Sequence, residues 1–250
     1  TTSAADIRDE AARLGDLILA AAIPARLMGG LAIWLRSPSV RQGPFARTYG
    51  DLDLAVAASG AGQLKALFLA QGYLPDQFFN GLHGATRLYF QEAAARWSVD
   101  VIVDELAMSH KLDLRGRLAG PGATISPADL LLTKLQVWEI NRKDLGDALC
   151  LLADHPLGDE VSDHEAIDLK RITTVLGSDW GFCHTVERNL TSVANLWTAE
   201  PLLGVAHDVG EQVSRLRGAI DSAPKSFGWR SRARIGERVR WYETPEEVRH

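Results

Sequence analysis

The chain has 250 residues, 46% of them hydrophobic and 24% charged, with two cysteines and a formal net charge of −5. That length and apolar fraction suffice for a substantial core and exclude a disordered or fibrous chain, which cannot bury enough apolar surface to offset its ordering entropy. The longest uninterrupted apolar run, Leu17 to Ile23, is far short of the roughly 20 residues that cross a bilayer, and an acidic total weighs against nucleic-acid binding without excluding it.

Asp6, Asp9 and Glu10 stand where a secretory signal needs positive charge followed by an apolar stretch. Cys150 and Cys183 have apolar or aromatic neighbours and read as buried thiols, so the expectation is a cytoplasmic protein without a membrane partner. Residues 3–22 place Ile7, Ala11, Leu14, Leu17, Ile18 and Ala21 at helical spacing, with Ser3 as the expected N-cap. Pro24 ends that helix. A short apolar segment, Ala25 to Met28, precedes Gly29 and Gly30, and Leu31 to Leu35 is again helical. Arg36 to Gly50, rich in Ser, Pro, Gly and Arg, reads as a loop. Asp51 to Ala57 alternates as a strand, 61–71 reads as a helix, and 86–91 and 97–103 read as strands.

From Ser126 onward the period is helical. Pro127 occupies a first-turn position ahead of Leu130, Leu131, Lys134, Leu135, Val137 and Trp138, and further helices are expected over 143–154, 163–176, 182–198 and 205–220. Gly and Pro cluster from Gly116 to Gly122, which divides an α/β domain, 1–118, from a helical domain, 119–250.

The chemistry concentrates in the first domain. Residues i and i+2 of a strand face one side, so Asp51 and Asp53 project together while Leu52 and Leu54 pack inward. Adjacent carboxylates repel unless a cation neutralises them, and hard oxygen ligands suit Mg²⁺. Asp100, between Val99 and Val101, could complete a two-metal clamp from a neighbouring strand; Asp104 is an equal alternative on the same face. A Gly-Gly pair between a strand and a helix lets main-chain N–H groups approach a phosphate. Taken singly, a D-x-D pair is more often a solvated strand face, and Gly-Gly is more often turn chemistry.

These motifs carry a resemblance. Leu27-Met28-Gly29-Gly30-Leu31-Ala32-Ile33-Trp34-Leu35, with Arg47-Thr48-Tyr49-Gly50-Asp51-Leu52-Asp53-Leu54 and Ser98-Val99-Asp100-Val101, resembles the nucleotidyltransferase superfamily of DNA polymerase β type. Within it the likeness is greatest to the minimal, AbiEii-like toxin and antibiotic nucleotidyltransferases. It extends through Ser126 to Leu135 and Arg142 to Leu149. Twenty residues separate Gly30 from Asp51, so Arg36 to Gly50 reads as an insertion. The resemblance implies an α/β (α+β) fold, with a mixed β-sheet core flanked by helices and a helical C-terminal region. It implies a nucleoside triphosphate (NTP) bound with two Mg²⁺ ions and nucleotidyl transfer to a hydroxyl acceptor, either RNA or a small hydroxylated molecule. An antitoxin-type protein partner is a further implication of the toxin-like branch. Gly29 and Gly30 would hold the triphosphate, Asp51, Asp53 and Asp100 would carry metal and catalysis, and Lys134 would lie near the triphosphate.

The bland alternatives are a lysine snorkelling from its helix flank at Lys134 and a solvated loop arginine at Arg47. Lys143, Asp144 and Asp147 are either site-lining or surface decoration, and His83 and His110 read as structural. Two other functions use such residues: a D-x-D glycosyltransferase, which needs neither Gly-Gly nor a third carboxylate, and a degenerate, non-catalytic binding module of the same fold. Residues 215–240 hold eight Lys or Arg against Asp221 and Glu237, a local +6 that points to a polyanionic partner or a self-docked segment.

Overall fold

The computed structural model describes residues 6–158 and 165–244. Ser3 and residues 163 and 164 lie outside them. The chain forms two compact units: one comprises the chain up to Arg36, Arg47–Leu106 and Asp113–Ile125, the other Ser37–Ala46, Ala107–Leu112 and the chain from Ser126 on.

The first unit is a mixed sheet with helices. Its strands β1 (Ala25–Met28), β2 (Asp51–Val56), β3 (Tyr73–Pro75), β4 (Arg87–Glu92) and β5 (Ser98–Val103) lie in the order β1-β2-β5-β4-β3. β2 and β5 run parallel; every other neighbouring pair is antiparallel. The alternation of β5 has a direct physical result, since Val99, Val101 and Val103 are buried while Ser98, Asp100 and Ile102 are half-exposed. The outer edge of β1 is covered rather than open: Leu27 N–H donates to Ala123 O and Ile125 N–H to Leu27 O, both at 2.9 Å.

The helices of this unit are α1 (Ile7–Ala20), α2 (Gly29–Arg36), α3 (Ala61–Ala70) and α4 (Gln77–His83). Asp6 caps α1 by accepting from Arg8 N–H. The helix buries Ile7, Ala11, Leu14 and Ile18, and with them the carboxylate of Glu10. Glu10 is satisfied there, because Arg13 donates Nε–H (2.8 Å) and Nη2–H (2.7 Å) and the Tyr73 hydroxyl donates at 2.8 Å. A buried charge is tolerable on those terms. α4 and β3 lie in a stretch whose sequence carries no periodic signal, for Phe78 and Leu82 on α4 are exposed.

The second unit is helical, as its period predicts: α5 (Pro127–Leu135), α6 (Arg142–Asp154), α7 (Leu169–Ser178), α8 (Trp180–Ala199), α9 (Val209–Ser222) and α10 (Phe227–Ile235). A two-residue parallel ladder, Leu157–Gly158 with Ile167–Asp168, is added to them. Ser126, Asn141, Asp168, Asp179, Asp208 and Ser226 cap the six helices. The stretch Arg36 to Gly50 is more than a loop. Pro38–Arg41 and Gly43–Phe45 are 3-10 turns of the second unit, anchored where Ser39 donates N–H (2.9 Å) and Oγ–H (2.5 Å) to Asp154. Phe45 packs so closely on Gly146 that a Cβ there would sit 2.5 Å from its ring. Both cysteines are buried thiols, and burial pushes Cys183 up to about 11.

Trp180 opens α8 at the surface of the second unit. It is half-buried, stacked on His184 at 4.9 Å with Arg232 over its ring. His110 is deeply buried, stacked on Phe182 at 5.1 Å and 2.8 Å from the Thr185 hydroxyl. Burial lowers its pKa to about 4 against the opposing charges of Asp179 and Glu243. The unfolded chain therefore takes up this proton before the folded one does as pH falls. His110 should favour folding above about pH 6.5 and cost up to roughly 3 kcal/mol of stability between pH 6.5 and 4. Thermal unfolding at pH 7 and pH 4.5 should show a smaller loss for His110→Gln than for the wild type.

Candidate functional site

Where β1 ends, Gly29 has φ +68°, a left-handed conformation, and α2 starts. The antiparallel register places Met28 opposite Asp53. Asp53 then lies against the Gly29 main chain: a Cβ on Gly29 would stand 1.9 Å from Asp53 Oδ2. Backbone conformation and space both require glycine here. The next residue is similarly hemmed in, since a Cβ on Gly30 would meet Arg47 Nη2 at 2.8 Å and the Tyr49 ring at 3.0 Å. Arg47 lies over that ring, 4.9 Å from its centroid.

Parallel pairing of β2 with β5 sets Asp53 directly opposite Asp100 and Asp51 opposite Ser98. Asp51, Asp53 and Asp100 share one sheet face, with Asp51 exposed and the other two half-buried. Like charges directly opposite one another in a sheet are unfavourable without compensation. Arg87 supplies part of it from β4, donating Nε–H at 2.7 Å to Asp100 Oδ1 and Nη2–H to Oδ2. The hydrogen bonds to Asp100, aided by the Asp53 charge, hold the Arg87 guanidinium above its ordinary pKa against the effect of burial.

Asp104, the alternative third carboxylate, leaves the strand at φ +62°, accepts from Ala58 N–H at 2.9 Å and pairs with Arg115 at 3.5 Å. It is a turn residue. Lys134 belongs to the second unit. Its ammonium lies 2.5 Å from Asp144 and 3.0 Å from the fully buried Asp147. Burial pushes its pKa down, but Asp147 and Asp144 outweigh this and keep it raised. The lysine is a half-buried ion-pair centre, not a snorkelling flank residue, and Asp144 and Asp147 are its partners rather than surface decoration.

The donor set fits a hard cation at Asp51 and Asp53, which are all-oxygen ligands beside a cradle that a Cβ would fill. Among the described residues no three acidic, His or Cys side chains are grouped to hold a metal ion; Arg87 holds both oxygens of the third carboxylate. Two arginines, Arg47 and Arg87, thus belong to this face. The sequence signalled Arg47 only by its nearness to the D-x-D pair, and Arg87 not at all.

No protein-family model and no curated protein matches the sequence. Among solved structures, the chain is similar to the lincosamide antibiotic adenylyltransferase LnuA in its lincomycin-bound crystal structure, with a TM-score of 0.41 and 13% identity over 60% of this chain and 98% of that one. It is also similar to an antigenic nucleotidyltransferase-like protein from Paracoccidioides brasiliensis, with a TM-score of 0.39 and 16% identity over 91% of this chain and 97% of that one. Both likenesses are distant. No helix among the described residues is long and apolar enough to cross a membrane.

Gly29→Ala should weaken Mn²⁺ binding, followed by the loss of free-ion EPR signal, while Gly50→Ala, where a Cβ meets nothing within 4 Å, should leave it unchanged. Arg87→Gln should raise Mn²⁺ affinity by freeing Asp100. Lys134→Met strands a buried carboxylate and should cost about 3–5 kcal/mol in urea unfolding; adding Asp147→Leu should recover part of that loss.

Proposed function

We propose that this chain is a divalent-metal-dependent nucleotidyltransferase that moves a nucleoside monophosphate from an NTP to a hydroxyl acceptor. The carrying observation is the close approach of Asp53 to the Gly29 main chain, with Asp100 its register partner on β5. Asp51 and Asp53 would hold one Mg²⁺, and Asp100 would join a second when Arg87 gives it up. When bound, the ions offset charge on the triphosphate and on the entering and leaving oxygens.

The remaining work is positioning and proton handling by the chain itself. Gly29 and Gly30 carry no side chain to bar a phosphate from the start of α2, whose N–H groups favour negative charge. Arg47, lying at Gly30, is placed to meet a phosphate oxygen. Asp100 is the base for the acceptor hydroxyl proton; the acceptor oxygen bonds to the α-phosphorus as the bond to the pyrophosphate oxygen breaks. Lys134, the other residue expected near the triphosphate, is assigned to holding the second unit together.

The Arg87–Asp100 pair favours one second reading, a binding module that takes up metal and nucleotide without transfer. Incubation with each α-labelled NTP, Mg²⁺ and either total RNA or a panel of small hydroxylated compounds separates the two. Transfer should release labelled-acceptor product and pyrophosphate, and Asp51→Asn/Asp53→Asn should abolish it. Label in neither pool, with Mn²⁺-dependent NTP binding intact, would leave the binding module. An antitoxin-type partner has no support in the site.

For an RNA acceptor, the basic C-terminal segment divides into bonded and exposed residues. Arg232 donates to Gly236 O (2.6 Å) and Val239 O (2.5 Å), while Arg230, Arg234 and Arg238 are exposed. Arg230→Gln/Arg234→Gln should weaken RNA binding and flatten its salt dependence while leaving nucleotide affinity unchanged, as measured by filter binding.

A further inference from the structure

Arg26, on β1, is 5% exposed. Its guanidinium faces main-chain carbonyls: Nη1 donates to Ala25 O at 2.5 Å and to Ile23 O at 3.3 Å, and Nη2 donates to Gly120 O. No carboxylate pairs with it among the described residues, and its Nε–H has no acceptor. Arg171 and Arg87, both less buried, each face an acid, Asp129 at 2.7 Å and Asp100. An isolated buried cation carries a desolvation cost that carbonyl dipoles offset only in part. The charge pays in its own affinity for the proton, for burial lowers the Arg26 pKa and no anion opposes the shift.

Arg26 also lines a cavity of about 230 Å³, together with Leu19, Ala22, Ile23, Pro24 and Ala119. Ala22 and Ala119 are exposed, so the cavity reaches solvent, and apart from Arg26 the side chains around it are apolar. None of them belongs to the carboxylate face of β2 and β5. A site with an apolar body and one unneutralised cation calls for an amphiphilic anion.

The donors that remain define the anion further. A guanidinium has five N–H groups. Three serve the carbonyls and Nε–H is sealed from solvent, which leaves one proton of Nη2 for a ligand. One charge-assisted hydrogen bond to a single oxygen suits a monoanion such as a carboxylate. The carbonyl oxygens gathered about the group disfavour a dianion such as phosphate. At roughly 30 Å³ per water-sized group, the volume holds about seven such groups. We propose that Arg26 and the cavity beside it form a binding site for a short aliphatic carboxylate of about four to six carbons, separate from the proposed nucleotide site.

The test is titration of the full chain with hexanoate, followed by calorimetry and by the rise in Tm that accompanies binding to the folded state. Hexanamide and inorganic phosphate serve as the neutral and dianionic probes. Saturable binding of hexanoate, absent for hexanamide and phosphate, is expected. Ala119→Trp should fill the cavity and abolish binding while Arg26 stays in place, and Arg26→Met should abolish it by removing the cation. Mn²⁺ binding at Asp51 and Asp53 should be unchanged in both variants. The proposal fails if hexanoate does not bind the wild type in the millimolar range, if hexanamide or phosphate binds as well as hexanoate, or if Ala119→Trp retains the wild-type affinity.

Discussion

The contact between the Asp53 carboxylate and the Gly29 main chain governs the first unit. It exists because β1 and β2 pair antiparallel with Met28 opposite Asp53, and because Gly29 alone can turn left-handed there without a side chain in the carboxylate's way. The parallel register of β2 with β5 then brings Asp100 opposite Asp53, and the antiparallel register of β5 with β4 brings Arg87 within reach. Four strands converge on one small patch of charge. Its negative excess is an electrostatic cost that a folded chain keeps only where a cation or a cationic ligand can offset it.

Arg87 and Arg26, both of that unit, solve opposite problems. Arg87 meets a carboxylate from the next strand and is satisfied by it. Arg26 meets only carbonyl oxygens, which hold its plane but leave its charge. The Lys134, Asp144 and Asp147 group in the second unit is a third case, in which one half-buried cation serves two acids and Asp147 is wholly removed from solvent.

Much of this was legible in the residues. The Val99, Val101, Val103 alternation announces β5, and the Asp51, Asp53 spacing announces a shared face. Ser126, from which the helical period runs, caps its helix. Other features could not be read, for physical reasons. The approach of Gly29 to Asp53 depends on strand register across an intervening stretch of more than twenty residues, which no local pattern encodes. α10 buries none of its residues and so shows no apolar stripe, while α4 exposes Phe78 and Leu82. Lys134 finds its partners ten and thirteen residues further on, across the turn between two helices, so neither helix alone reveals the pair. A histidine and an arginine cover the Trp180 ring, contacts that the apolar spacing of α8 does not encode.

The segment Ser37–Ala46 has a consequence for the order in which the chain can be completed. It lies in sequence between β1 and β2, but its partner Asp154 is 115 residues further on, and its buried side chains Val40 and Phe45 pack within the second unit. During synthesis those apolar groups have no cover until α6 has left the ribosome. Any β1 and β2 pairing that precedes α6 forms around a loop whose apolar groups are uncovered, a window in which holding chaperones and translation speed bear on yield.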